Sequence, residues 1–285
     1  MISQAQFDKE IEIIIANSVR EDVGEGDHSS LACIPAYAKG RAKLLVKDNG
    51  LIAGVEFAKQ VFHYIDKDLK VETLIEDGSE VKKRDIVFYV EGSSQSILKA
   101  ERLVLNAMQR MSAIATKTNE YVKKLEGTKT KILDTRKTTP GIRALEKWAV
   151  KIGGGVNHRF GLFDMIMLKD NHIDFAGGIT QAINKTKVYL KEKNLDLKII
   201  VEARDLDEIK EILESEGIYR ILIDNFNYDD TRKAVELINK RCLTESSGGI
   251  TLDSVRKYAD CGVDFVSSGA LTHSVYNMDL SLKAV

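Results

Sequence analysis

Two prolines and three cysteines in 285 residues are what this sequence has least of. With so little proline and no low-complexity segment, disordered linkers are not expected, and the chain reads as compact. Cys33, Cys242 and Cys261 are odd in number, far apart and without metal-ligand spacing, so they read as reduced packing residues of a cytoplasmic protein. Neither charge is in excess: 42 Lys and Arg against 43 Asp and Glu leave a net charge of −1. That balance argues against the broad basic face that nucleic acid or a membrane surface would require. No apolar run approaches the roughly 18 residues of a membrane span, and the opening MISQAQFDKE lacks the basic and apolar regions of a signal peptide. What remains is an ordinary globular composition, 44% hydrophobic and 30% charged, long enough for one large domain or two modest ones.

Along the chain, Phe7, Ile11, Ile14, Ile15 and Val19 recur at helical spacing. Residues 21–30 then break that helix with two glycines and several acids, which read as a surface turn including His28, with a metal site as the alternative. Residues 41–53 predict two short strands about the Asn49-Gly50 turn. A helix follows over 55–65, where His63 has no partner at ligand spacing. Alternating strands and turns come next, in the manner of the small sandwiches of biotin and lipoyl carriers but without a displayed lysine. From Ser94 to Leu125 the spacing predicts a long helix or two successive ones, with Arg102 and Arg110 set among apolar residues. Snorkelling to solvent and a functional role are both open for Arg102.

After this the rhythm changes. Six apolar, β-branched runs (KILDT, FDMIML, LKIIVEA, RILIDN, RCLTES, VDFVSS) recur, most of them separated by amphipathic helices. Fully apolar strands alternating with helices mean a parallel sheet covered by helices. Polar residues close nearly every run, which favours a barrel or incomplete barrel with its site at the carboxyl ends of the strands. The fold class expected is therefore α/β: an N-terminal domain over residues 1–110, a barrel-like catalytic domain over 111–270 and a tail over 271–285.

The chemistry concentrates between Asp134 and His172. This stretch holds three Arg and four Lys against three Asp and one Glu, with two of the five His. Cations among glycines suit a small, multiply anionic ligand, held by guanidinium forks and free N–H groups. A solvated loop with helix caps is the alternative, but Arg136, Lys137, His158, Arg159 and Lys169 sit beside element ends. The last two strand ends, Glu245-Ser246-Ser247-Gly248-Gly249 and Ser267-Ser268-Gly269, place hydroxyls and approachable backbone where barrels bind a monophosphate. Glu202 and Asp224 close two adjacent strands, so both carboxylates should face one mouth. They suit sugar hydroxyls, a sugar cation or a divalent metal, Mg²⁺ above others, with a structural salt bridge to Lys169 or Arg136 as the competitor. Phosphate site, paired acids and a cationic region form the layout of a phosphoribosyl transfer. From spacing alone, an aldolase-type barrel with Lys169 as a Schiff-base amine stays open.

The runs TRKTTPGIRALEKWAVKIGGGVNHRFGLFDMIMLKDNH, VEARDLDE, ILIDN, SGGIT and SSGALTHS, in this order, resemble the quinolinate phosphoribosyltransferase family, and the early EDVGEGDHSS resembles its N-terminal signature. The likeness covers essentially the whole chain. It implies an N-terminal α/β sandwich, a C-terminal incomplete α/β barrel, and a homodimer whose sites are completed by the neighbouring subunit. It implies quinolinate and phosphoribosyl pyrophosphate as substrates, Mg²⁺ as cofactor, and nicotinate mononucleotide, pyrophosphate and carbon dioxide as products. By motif, Arg136, Lys137, His158, Arg159 and Lys169 would line the quinolinate and pyrophosphate region, with Arg102 reaching in from the partner subunit. Glu202 and Asp224 would meet the ribose hydroxyls and the metal, and Ser247, Gly248 and Gly269 the 5-phosphate. Lys137, Glu202 and Asp224 are the catalytic candidates. His172 either caps a helix or touches substrate, and His273 supports the last turn. A molybdenum-transport-associated relative and a noncatalytic metabolite binder are the competing readings. The intact cationic set argues against the first and the retained acids and phosphate loops against the second.

Overall fold

The computed structural model describes residues 2–285. The chain divides into two compact units, neither continuous in sequence. One comprises Ser3–Asn119, Thr138–Gly154 and Leu271–Val285; the other is built from Glu120–Lys137 and Gly155–Ala270. The sequence placed a boundary near residue 110 of a helical region. That region is one unbroken helix, so no local signal marks a domain change along it.

In chain order the first unit begins with α1 (Gln4–Val23), α2 (His28–Cys33), β1 (Lys39–Val46), β2 (Gly50–Leu51) and α3 (Val55–Ile65). It continues with β3 (Lys70–Thr73), β4 (Glu80–Val81), β5 (Ile86–Ser93) and α4 (Ser94–Lys124) as far as Asn119. Ser3 and Gln6 close a reciprocal capping box at the start of α1, whose buried stripe is Ile11, Ile14 and Ile15. The acidic turn after it is structural: Asp27 accepts from the Ser30 amide and hydroxyl at 3.1 and 2.5 Å, capping α2. Asp77 caps α3 by accepting from the Val55 and Glu56 amides.

Four strands form an antiparallel sheet whose order begins at the C-terminal strand (Leu280–Ala284) and continues β1-β5-β3. The residues set apart as a tail are thus an integral edge strand, in register from Ala42↔Ala284 to Val46↔Leu280. Leu280 and Leu282 are buried there. The Asn-Gly hairpin does not form. Both edges of β1 are taken by β5 and the C-terminal strand, and β2 pairs instead with β4. Asn49 turns its side chain to the Lys83 amide. Helix α4 lays Ala100, Val104, Met108, Met111 and Ile114 into the core. It is tied down by Ser112 and Thr116, whose hydroxyls accept from the Ala53 and Leu51 amides at 2.9 Å. Helix α3 packs on the sheet through an edge-to-face contact of Phe62 with Phe88.

The second unit adds β6 (Lys131–Leu133), then, after α5 (Arg143–Ile152) of the first unit, β7 (Ile166–Leu168), α6 (Asp170–Ala176) and α7 (Ile179–Lys193). It is completed by β8 (Ile199–Ala203), α8 (Leu206–Leu213), β9 (Ile218–Asp224), α9 (Tyr228–Ile238), β10 (Leu243–Ser247), α10 (Val255–Ala259) and β11 (Phe265–Ser267). The six strands are all parallel, in the order β6-β11-β10-β9-β8-β7. Strand β8 is buried at every residue, as expected of a parallel strand covered on both faces. β6 and β7 are edges that do not pair with each other, so the barrel is open. The outer edge of β6 is instead bridged by Val156, in the segment before β7.

Candidate functional site

Every strand of the open barrel hands over to a polar residue at its carboxyl end, and register sets which of these meet. Asp224 pairs across with Ser247, and Glu202 with Leu222 one row below, so the two acids project from adjacent strands on the same face, Glu202 one row deeper. Glu202 is buried at 6% exposure and Asp224 is half-buried. Burial pushes the Glu202 carboxyl above the usual glutamate range, and the neighbouring Asp224 charge pushes the same way, only partly countered by Lys169. The competing salt bridge is present but loose: Lys169 Nζ stands 3.9 Å from Glu202 Oε2, with half of its side chain exposed.

The cationic side is organised by Asp134, which is fully buried just after β6. Its Oδ1 accepts from the His158 amide at 2.7 Å, fixing the Asn157-His158-Arg159 segment against the strand end. Arg159 is 6% exposed and donates to the Met165 carbonyl at 3.1 Å. Burial lowers the affinity of its guanidinium for a proton, and the charge of Arg136 lowers it further. Two guanidinium groups that repel each other in a partly desolvated place form a site for an anion. Arg136 and Lys137 are exposed on the same loop, where the Lys137 amide donates to the Thr135 hydroxyl at 3.0 Å.

The turn after β10 is set by Asn225 and Gly248. Asn225 has φ +58° and donates its amide to the Ser247 carbonyl at 2.9 Å, while its side chain holds Asp224 Oδ2 at 2.6 Å. Gly248 has φ +100°, and a Cβ there would lie 2.1 Å from Asn225 Oδ1 and 2.8 Å from the Asn225 amide nitrogen. Only glycine lets the backbone pass this close. The Ser268 hydroxyl donates to the Ile250 carbonyl at 2.8 Å, joining this turn to the Ser267–Gly269 turn. Gly248→Ala is therefore expected to move Asn225 and the Asp224 it holds. Steady-state kinetics should show a higher KM for the phosphorylated substrate, by about tenfold or more, since small misplacements at a site cost this much or beyond.

Within the second unit, Lys169, Glu202 and Asp224 are neighbours at strand ends, Asp224 pairs with Ser247 beside Gly248, and Arg136 stands close to Arg159. His158 is different. Its ring is only 7% exposed and faces Glu245 at 3.3 Å, inside the sheet. Glu245, expected at the mouth, lies within β10, paired with Arg220 at 2.6 Å. Arg102 belongs to the first unit, exposed on α4 beside a cavity also lined by Glu21, Asp22 and Asn106. His172 is a cap: its Nδ1 accepts from the Lys169 amide at 3.1 Å. Sequence reasoning missed Asp134 as an anchor, Asn225 as the brace of Gly248, and the Arg220–Glu245 pair. Only the last left a signal, an arginine inside the apolar run YRILID.

An open parallel sheet with two acids on adjacent strands and two neighbouring guanidinium groups is a layout compatible with a transferase of phosphorylated sugars. The family match makes this specific. Residues 27–112 match the N-terminal domain of quinolinate phosphoribosyl transferase and residues 114–283 its C-terminal domain. The chain is 46% identical to the chloroplastic nicotinate-nucleotide pyrophosphorylase [carboxylating] of Arabidopsis thaliana, over 96% of this chain and 82% of that one. It is 39% identical to the probable nicotinate-nucleotide pyrophosphorylase [carboxylating] of Bacillus subtilis, over 92% and 89% respectively. Among solved structures, the nicotinate-nucleotide pyrophosphorylase of Francisella tularensis superposes with a TM-score of 0.89 at 35% identity, covering 97% of this chain and 96% of that one. The chain belongs to the quinolinate phosphoribosyltransferase family.

Proposed function

We infer that this chain transfers the phosphoribosyl group of phosphoribosyl pyrophosphate to quinolinate with decarboxylation, forming nicotinate mononucleotide, pyrophosphate and carbon dioxide for NAD biosynthesis. The observation that carries the reading is that the same unit holds two close guanidinium groups and two close carboxylates. Arg136 and Arg159 suit the two adjacent carboxylates of quinolinate, and Glu202 with Asp224 suits a ribosyl cation.

As pyrophosphate leaves, the bond from the anomeric carbon to the pyrophosphate oxygen breaks and positive charge builds on the sugar. The Glu202 and Asp224 carboxylates stabilise that charge without having to reorganise. The quinolinate nitrogen then bonds to the anomeric carbon and becomes cationic. The ring accepts the electron pair left when the neighbouring carboxylate departs as carbon dioxide, and a proton replaces it. Arg136, Lys137, Arg159 and Lys169 hold the anionic substrate and leaving group. The Ser247–Gly249 and Gly269 turns hold the 5-phosphate.

Mg²⁺ fits the donor set. Among the described residues no cluster of three or more ligating side chains exists, and Mg²⁺ is commonly held by one or two carboxylates together with substrate phosphates. Glu202 and Asp224 would hold it, and when bound it would neutralise pyrophosphate charge. No residue need act as a covalent nucleophile. Borohydride added with both substrates should therefore trap no adduct at Lys169, as checked by intact mass.

The assembly proposed is a homodimer in which Arg102 serves the mouth of the neighbouring copy. Its support is the exposed position of Arg102 on α4. Mixing inactive Arg102→Ala and Glu202→Gln proteins should then restore about a quarter of wild-type turnover, because about half the two-fold dimers are mixed and each has one intact site. No restoration would place Arg102 in its own subunit's site or in none. A reducing, cytoplasmic location accords with three free cysteines, although the plant relatives are named as chloroplastic or mitochondrial.

The reaction itself is tested by incubating the protein with phosphoribosyl pyrophosphate, Mg²⁺ and either quinolinate or nicotinate, following nicotinate mononucleotide by its ultraviolet absorbance. Product from quinolinate alone supports the reading, and product from neither overturns it.

A further inference from the structure

One row below the mouth, the interior of the open barrel carries a charged cluster that the chemistry above does not use. Glu245 is in register with Leu222, and Leu222 with Glu202, so the two glutamates share a row and a face of the sheet. Asp224 and Ser247 form the next row toward the mouth. Glu245 Oε2 lies 2.6 Å from Arg220 Nη1 and 3.3 Å from His158 Nε2, and all three residues are at most 7% exposed. The Arg220 guanidinium lies over the Phe265 ring at 4.2 Å. A buried ion pair is weak evidence for stability. Here, moreover, Glu245 Oε1 and Arg220 Nε are buried with no hydrogen-bond partner among the described residues. The geometric consequence falls on His158.

The Arg159 amide donates to His158 Nδ1 at 2.6 Å, so Nδ1 must offer its lone pair and the ring proton must sit on Nε2, facing Glu245. The ring is clamped between a carboxylate on one side and, on the other, the amide from which Arg159 begins. Burial alone would raise the Glu245 carboxyl, but the His158 contact and the Arg220 charge outweigh it and hold it below the usual glutamate range.

We propose that Glu245 is a positioning residue: as the carboxylate facing His158 Nε2 at 3.3 Å it favours the tautomer with the proton on that nitrogen, and through the ring it steadies the backbone that aims Arg159 at the substrate dicarboxylate. Arg220 serves as the fixed counter-charge that keeps Glu245 in place. The kinetic part of this inference rests on the quinolinate reading; the tautomer part does not.

The test uses full-length protein labelled with ¹⁵N in its histidines, resonances being assigned with a His158→Gln variant. In the wild type His158 should show a pyridine-like Nδ1 and a pyrrole-like Nε2. Glu245→Gln replaces an acceptor-only carboxylate by an amide that both donates and accepts. The two nitrogen shifts should then move toward averaged values. The same variant should raise the KM for quinolinate about tenfold or more, as loss of a carboxylate orienting a functional histidine does elsewhere, while the KM for phosphoribosyl pyrophosphate stays within about twofold. Glu245→Asp should recover part of the loss. Because Glu245→Gln leaves Arg220 buried and uncompensated, Arg220→Met with Glu245→Gln is made alongside to keep a folded protein for both readouts. An active wild type whose folded Glu245 variants keep the same His158 shifts and the same quinolinate KM overturns the proposal. A wild type inactive on quinolinate overturns the functional reading instead, and the nitrogen shifts still decide whether Glu245 sets the tautomer.

Discussion

Arg159→Ala is expected to lower kcat/KM for quinolinate by about 2–5 kcal/mol, roughly a thirtyfold to several-thousandfold loss, the range found when one member of a buried charge pair is removed. The reason is visible in the free protein. Arg159 is 6% exposed, its guanidinium makes a hydrogen bond to the Met165 carbonyl, and its strongest charged neighbour is another cation, Arg136. An anion relieves both the desolvation and the repulsion, so binding a dicarboxylate here is favoured by more than a surface ion pair would supply. A thermal shift separates this from a folding defect. Quinolinate or pyrophosphate should raise the Tm of the wild type by linkage and raise that of Arg159→Ala much less. The variant without ligand should melt near the wild type, since the substitution also removes a repulsion. Unchanged turnover in Arg159→Ala would count heavily against this site.

Glu202→Gln should separate activity from stability. If the carboxylate stabilises a ribosyl cation, kcat should fall by about a hundred- to a thousandfold, as for loss of one preorganised electrostatic group. Stability should move the other way. Burial and the Asp224 charge raise the folded-state pKa of Glu202, so the folded protein holds that proton more tightly than the unfolded chain. Stability is then lost as pH rises from the ordinary glutamate range through the raised value, and at neutral pH the ionised Glu202 is a net cost. A neutral glutamine removes that cost, so the Tm of Glu202→Gln at pH 7 should equal or exceed that of the wild type. The sign carries over to activity. The acid limb of the wild-type kcat profile should lie above the usual glutamate range and be absent from the profile of the variant. A variant that loses both activity and Tm would make Glu202 a structural acid paired with Lys169.

The parts of the site legible in the sequence are those whose chemistry is carried by neighbours along the chain. Thr135-Arg136-Lys137, Asn157-His158-Arg159 and Lys169-Asp170-Asn171-His172 announce an anion site because several cations fall together among turn formers. Ser247-Gly248 and Gly269 announce close backbone approach because glycine has few other reasons to recur at strand ends. The Asn49-Gly50 turn shows the opposite case. Its local preference for a hairpin lost to the partners available to β1, which takes β5 on one side and the last strand of the chain on the other. That last strand could not be foreseen from its own residues, because an edge strand is defined by the sheet it joins.

By itself, then, the sequence determined the fold class, the family and the inventory of charges at the mouth, because strand periodicity, strand-end residues and motif order are all properties of short segments. Only the tertiary structure decided what each charge does, since that depends on register across strands distant in sequence. Register places Glu245 one row below Ser247, against Arg220 and His158, and so turns an apparent mouth acid into a buried clamp. The same register sets Glu202 beside Asp224 in a desolvated place, where their mutual repulsion and burial, not their identity, give the carboxylate the raised affinity for protons on which its behaviour depends.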